Sequence, residues 1–206
     1  MNDSASYMQH DRWSHVNLEN YQARALHACR QSAYERSPFY QRFHHGLTER
    51  PLQELPVLTK AVMMEHFDEL VTDRTIHLQE VKRFLAEMRP PALLLGRYRA
   101  LSTSGSTGEP GVFLFSREEA EAVATTFARF LSWAGVTPTS KMAVVASTVP
   151  RHMSSNLAFV LQGHPLPKIQ LSANEPVEQL VQRLNEWQPD GLAAYPSIAR
   201  VLAEEQ

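Results

Sequence analysis

The sequence predicts an α/β fold, in which an N-terminal helical segment is followed by a mainly parallel sheet with helices on both faces. Three observations carry this expectation. Between Asn17 and Met88, apolar residues recur at three- and four-residue spacing, the period of a helix face. Beyond residue 110, short strand-like runs alternate with amphipathic helical patterns, and repeated strand–helix alternation implies parallel strands joined by right-handed crossovers. The run Met142 to Ala146 is continuously apolar, as in a strand covered on both faces. The natural division lies near residue 90, with a helical segment over 1–90 packing on the core and an α/β portion over 91–206.

The elements follow in order. Residues 1–15 are polar and irregular and read as a loosely held arm. A first helix carries Leu18, Tyr21, Ala25, Cys29 and Ala33 on one face and ends at Ser37-Pro38, because proline disfavours helical backbone in the residue before it. Phe39, Tyr40 and Phe43 form the inner face of a short helix closed by Gly46. Thr59 is placed to cap a helix starting at Lys60, with Val62, Met63, Phe67 and Leu70 inward. Asp68 to Thr75 reads as a connector. A further helix over Leu78–Met88 buries Val81, Leu85 and Met88. After the Ser/Gly-rich centre of the chain, Ser116 and Glu119 make a capping box. They open a helix whose inner face is Ala120, Val123, Phe127, Phe130 and Ala134, stopped by Gly135. Strands are expected at Met142–Ala146, Leu166–Leu171 and Gly191–Tyr195. Helices are expected from about His152 to Leu161, after an Asn174 cap with Val177, Leu180, Val181, Leu184 and Trp187 inward, and from Ser197 with Ile198, Val201 and Leu202 inward.

Composition narrows the function classes. The 206 residues are 43% hydrophobic, enough for one domain with a sizeable core or for part of a larger one. A formal net charge of −2 leaves no basic footprint for nucleic acid and no polybasic membrane patch. No apolar run approaches spanning length, and the first residues lack the basic and apolar regions of a secretory leader, so a cytoplasmic protein with small-molecule or protein partners is expected. Cys29 is the single cysteine, which rules out an intrachain disulfide and a thiolate cluster; it is expected to pack on a helix face. His44 and His45 are adjacent and point apart, and no histidine falls in an H-E-x-x-H pattern. No metal site is expected.

The functional signal is LSTSGSTGEPGVFLFS, Leu101 to Ser116. Glycines let backbone turn through positive φ and approach a ligand closely, and consecutive amides in such a turn form a concavity for anionic oxygen. Hydroxyls from Thr103, Ser104, Ser106 and Thr107 add donors to the same space. A Ser/Gly turn joining two strands has the same composition. The loop is no Walker A sequence, because Pro110 is followed by Gly111 and not by lysine. Nor is it a G-x-S-x-G elbow.

The order Thr-Ser-Gly-Ser-Thr-Gly-Glu-Pro closely resembles the phosphate loop of the adenylate-forming superfamily. Many members place lysine after the proline; Gly111 matches instead the variant of the phenylacetate-CoA ligase (coenzyme F390 synthetase-like) branch. SPFYQRF, ELPVLTK and HFDELVTDR are similar to that branch's N-terminal helices. The resemblance covers the whole chain but only about the first half of the family's length, the first part of an N-terminal adenylation domain. It implies ATP-dependent carboxylate activation with Mg2+, then transfer of the acyl group to coenzyme A. Thr103, Ser104, Gly105, Ser106, Thr107 and Gly108 would hold the nucleotide's β- and γ-phosphates. His152 and Tyr195 would lie near the acyl substrate. A histidine at a helix start or a tyrosine before one is equally well explained as a capping or surface group, and Arg151, Lys60 and Lys141 read as solvated or capping residues. No catalytic side chain is assigned.

Relatives carry an adenine and magnesium segment ending in Thr-Glu, a ribose-holding aspartate and a lysine on a mobile C-terminal domain, and none can be located here. Three or four charge-assisted hydrogen bonds would supply roughly 5 to 12 kcal/mol, against about 4 to 15 kcal/mol for association itself. The chain by itself is therefore expected to be inactive. The alternatives are a non-catalytic truncated homologue acting as a protein-interaction module, whose unfinished sheet edge pairs with itself as a homodimer or with another protein, and an amidase-type hydrolase, for which no supporting signature appears; the ligase reading instead pairs the chain with the missing C-terminal portion.

Overall fold

The computed structural model describes residues 9–89, 92–103, 110–156 and 166–205. The chain divides into two compact units, one built from residues 5–87 with 105–112 and the other from 88–104 with 113–206 and the first four residues.

The helical unit begins with a 3-10 turn, His10–Arg12, then α1 (His15–Arg36), whose N-cap Ser14 accepts from Asn17 N–H at 3.3 Å. Ser37 both ends α1 and starts α2 (Pro38–Phe43), because its hydroxyl accepts from Tyr40 N–H while proline fills the first helical position. That hydroxyl also donates to Glu69 O at 3.0 Å, and Ser37 is fully buried. Thr59 caps α3 (Lys60–Glu65) through Val62 N–H at 3.3 Å. The helix foreseen to run on from Lys60 is broken at His66, and α4 (Phe67–Leu70) follows as a separate turn inside the expected connector. Asp68 then reaches forward to accept from Leu78 N–H at 2.7 Å, tying down the start of α5 (Leu78–Glu87). Phe39, Met64, Phe67, Ile76, Val81 and Leu85 are buried. Met64 takes the place expected for Met63, and its sulfur accepts from Val112 N–H at 3.3 Å.

The packing expected of the first helix also fails. No residue of α1 is buried, Ala25 is exposed, and Cys29 is exposed instead of packed. The repeat on α1 marks a shared face, but spacing cannot say whether another element covers it.

In the α/β unit, β1 (Arg99–Ser102) and β2 (Val112–Phe115) form a two-stranded sheet, as expected for strands bracketing the Ser/Gly loop. The Ser116–Glu119 capping box is present in both directions and opens α6 (Arg117–Trp133). Gly135 takes the left-handed conformation after it, with φ 77°. The buried stripe of α6 is rotated from the expected one: Leu131 is buried and Phe127 partly so, whereas Val123 and Phe130 are exposed.

The second sheet has three parallel strands in the order β4-β3-β5, comprising β3 (Met142–Ala146), β4 (Lys168–Ser172) and β5 (Gly191–Ala194). All of β3 is buried, as its unbroken apolar run requires. Its alternate residues divide between two cores. Ala143 and Val145 pack with Leu171, Leu180, Leu184 and Leu202 from β4, α7 (Val177–Trp187) and α8 (Pro196–Glu204). Met142, Val144 and Ala146 pack with Leu131 of α6. Helices therefore cover both faces of a parallel sheet, which is the fold class read from the sequence. Two details differ. α7 is preceded by Pro176, not capped by Asn174, and α8 takes Pro196 at its first position after Tyr195. Beyond a 3-10 turn at Met153–Asn156, the helix expected toward Leu161 lies outside the described residues.

Candidate functional site

Parallel strands end together, so their carboxyl ends and the segments that follow form one rim, the side on which open α/β sheets receive ligands. The segment after β3 is built around Ser147. Its Oγ accepts from Val149 N–H at 3.2 Å, a local turn typical of serine. Oγ also lies 2.8 Å from His152 Nδ1. His152 N–H donates to Val149 O at 3.0 Å. The Ser155 hydroxyl contacts Val149 O at 2.6 Å and His152 O at 2.7 Å, closing the turn that leads into Met153–Asn156.

Two distant elements grip this segment. Ser102, the last residue of β1, directs both its N–H and its hydroxyl at Arg151 O, at 2.7 and 3.3 Å, and forms a parallel bridge with His152. From the end of β5, the Tyr195 hydroxyl accepts from Ser147 N–H at 3.2 Å and pairs with Ser154 Oγ. The structure thus brings together His152 and Tyr195, the two residues singled out near the acyl substrate, through Ser147. The side chain of His152 is partly buried; burial, followed by the neighbouring Arg151 cation, lowers its pKa and favours neutral imidazole. Tyr195 is half-exposed at 39%.

Of the proposed phosphate-holding residues, Thr103 directly follows β1 and so stands beside the bridge to His152. Ser104, Gly105, Ser106, Thr107 and Gly108 lie outside the described residues. Ser147 and Ser154 were not singled out in the sequence. The signal that could have found Ser147 is a hydroxyl directly after a fully apolar strand, where a side chain sits on the rim. Lys141, read as solvated or capping, places its ammonium 4.9 Å from the centre of the Trp187 ring, a cation–π contact. Among the described residues, no group of three or more His, Cys, Asp or Glu side chains is arranged to hold a metal ion. No helix among them is long and apolar enough to cross a membrane.

With this geometry in place, the fold is seen to be similar to part of that of solved CoA ligases. Solved structures of 2-hydroxyisobutyryl-CoA ligase are similar to this chain. The complex with 2-HIB-AMP and CoA in the thioesterification state matches 93% of this chain and 40% of its own at 22% identity, with a TM-score of 0.67. An open conformation with the same ligands matches 92% and 43% at 22% identity and 0.65. The postadenylation state with 2-HIB-AMP matches 92% and 39% at 20% identity and 0.67. The chain therefore spans about two fifths of the length of these ligases. No family model matches the sequence, and no curated protein matches it by sequence. The α/β fold that the sequence predicts is the one these structures share with this chain over its matched length.

Proposed function

We propose that this chain is part of an ATP-dependent ligase that activates a carboxylic acid as its acyl-adenylate and passes the acyl group to coenzyme A, in the phenylacetate-CoA ligase-like branch. The observation that carries the reading is the likeness in fold, over more than nine tenths of the chain, to ligases solved with an acyl-adenylate and CoA. The loop motif supplies the branch. Residues 1–90 and 91–206 are read as a helical scaffold and the α/β portion of one incomplete adenylation domain, working in the cytoplasm where ATP and coenzyme A are available.

Thr103, Ser104, Ser106 and Thr107, with the amides of Gly105 and Gly108, would hold the nucleotide phosphates together with Mg2+. Hydroxyls and consecutive amides uninterrupted by a carboxylate until Glu109 are a donor set that fits polyphosphate. ATP supplies the electrophilic phosphorus and the pyrophosphate leaving group. The protein's share is positioning and charge stabilisation. His152, neutral near pH 7, and Tyr195 would orient the substrate carboxylate at the rim.

The test is ATP–pyrophosphate exchange over a panel of carboxylic acids. The 206-residue chain alone should show no exchange, and robust turnover would overturn its incompetence. Supplied with a polypeptide bearing the adenine, ribose and lysine segments, it should show acid-dependent exchange; silence with every acid would sink the ligase reading.

A second reading rests on the strand order. β4 and β5 are the outer strands of the described three-stranded sheet, and unpaired edges invite pairing with another chain. A non-catalytic homologue that uses such an edge, with a second copy or with another protein, should elute above monomer size on a sizing column, and a well-behaved monomer argues against it.

A further inference from the structure

Three constraints meet at Ser147, one on its backbone amide and two on its hydroxyl. Its backbone N–H points at the Tyr195 hydroxyl at 3.2 Å, and its Oγ receives Val149 N–H at 3.2 Å while standing 2.8 Å from His152 Nδ1. A serine hydroxyl has one proton to give and two lone pairs to fill. With Val149 N–H on one lone pair, the hydroxyl proton has an acceptor at Nδ1, and a hydrogen bond at one ring nitrogen of a neutral imidazole fixes which nitrogen carries the proton.

We propose that Ser147 is the positioning residue of this site: its hydroxyl donates to Nδ1 of His152, so that the imidazole is held as the Nε2–H tautomer. Its amide at the same time holds the Tyr195 phenol, so imidazole and phenol are set side by side on the rim. A donor on Nε2 is the form suited to an acceptor oxygen, so the ligand class is a carboxylate or carbonyl group. This ligand class rests on the ligase reading above; the tautomer does not. Protonation at Nδ1 would turn that atom into a second donor toward Oγ and strip the hydroxyl proton of its acceptor. The arrangement therefore opposes the imidazolium, in the same direction as burial and Arg151.

The test is nitrogen-15 NMR of the histidine side chains in the full 206-residue chain at neutral pH. His152 should show the Nε2–H pattern. Ser147→Ala should reduce the tautomer ratio by roughly tenfold, the size that one hydrogen bond supports, and move the titration of His152 upward. Ser147→Thr, which keeps the hydroxyl, should restore both. Tyr195 serves as the internal control, because its partner in Ser147 is the backbone amide and its ring signals should persist in Ser147→Ala. An unchanged His152 tautomer in Ser147→Ala, or an Nδ1–H pattern in the unaltered chain, overturns the proposal. Sodium phenylacetate and sodium 2-hydroxyisobutyrate are then titrated in. Shifts at His152 and Tyr195 support the ligand class, and their absence beside an intact Nε2–H pattern overturns that class while leaving the positioning role supported.

Discussion

Asp68 shows how one side chain ties sequence to local stability. Its carboxylate accepts from Leu78 N–H at 2.7 Å and meets His77 Nδ1 at 3.0 Å, so it both starts α5 and pairs with the neighbouring imidazole. The backbone hydrogen bond is the main cause of its lowered pKa; partial burial works against it, and His77 and Arg74 assist. Since the folded pKa lies below the unfolded one, the stabilisation is present above the ordinary carboxylate range and is lost as pH falls through the folded value. Asp68→Asn should therefore be less stable than the parent at neutral pH, with the gap closing as urea denaturation is repeated at progressively lower pH. Gly191 makes a different point. It pairs in register with Met142, and a Cβ there would meet Met142 Sδ at 2.7 Å and Cε at 3.0 Å. The obstacle is the flexible end of a thioether, so Gly191→Ala should cost less than about 1 kcal/mol. Gly191→Val, which asks the buried Met142 for more room, should cost about 1 to 3 kcal/mol by denaturant titration.

At the scale of elements, the capping box on α6 and the double-sided burial of β3 carry separate predictions. Ser116→Ala removes the acceptor for Glu119 N–H and should lower stability by about 1 kcal/mol. The helix itself should persist in the far-ultraviolet circular dichroism spectrum, because Leu131 still anchors it to the sheet. Leu171 and Leu180 are both fully buried in the core shared by β3, β4, α7 and α8. Either Leu→Ala change should cost about 2 to 5 kcal/mol, measured as a fall in the denaturant midpoint. The two together should depart from additivity, since they belong to one packed cluster.

For the whole molecule, the decisive variant lies in the Ser/Gly loop. Valine disfavours the positive-φ backbone that glycine permits, so Gly108→Val should impair any nucleotide contact while the helical circular dichroism signal stays unchanged. Equilibrium binding of a fluorescent ATP analogue, before and after the change, measures this; equal binding by both proteins would remove the case for the loop as a phosphate cradle.

The sequence by itself determined the class of the fold and most of its elements. Local rules are enough for them: proline and glycine end helices at Ser37 and Gly135, the Ser116–Glu119 box opens α6, and an unbroken apolar run at Met142–Ala146 demands cover on both faces. Tertiary structure alone decided which apolar faces find partners. Periodicity groups residues without naming what covers them, which is why Cys29 and Phe130 lie exposed while Leu131 is buried. It also decided the rim: Ser147 meets His152 within its own turn but Tyr195 across 48 positions of chain. A contact of that separation is set by strand order, because only the parallel pairing of β3 with β5 brings the ends of the two strands together.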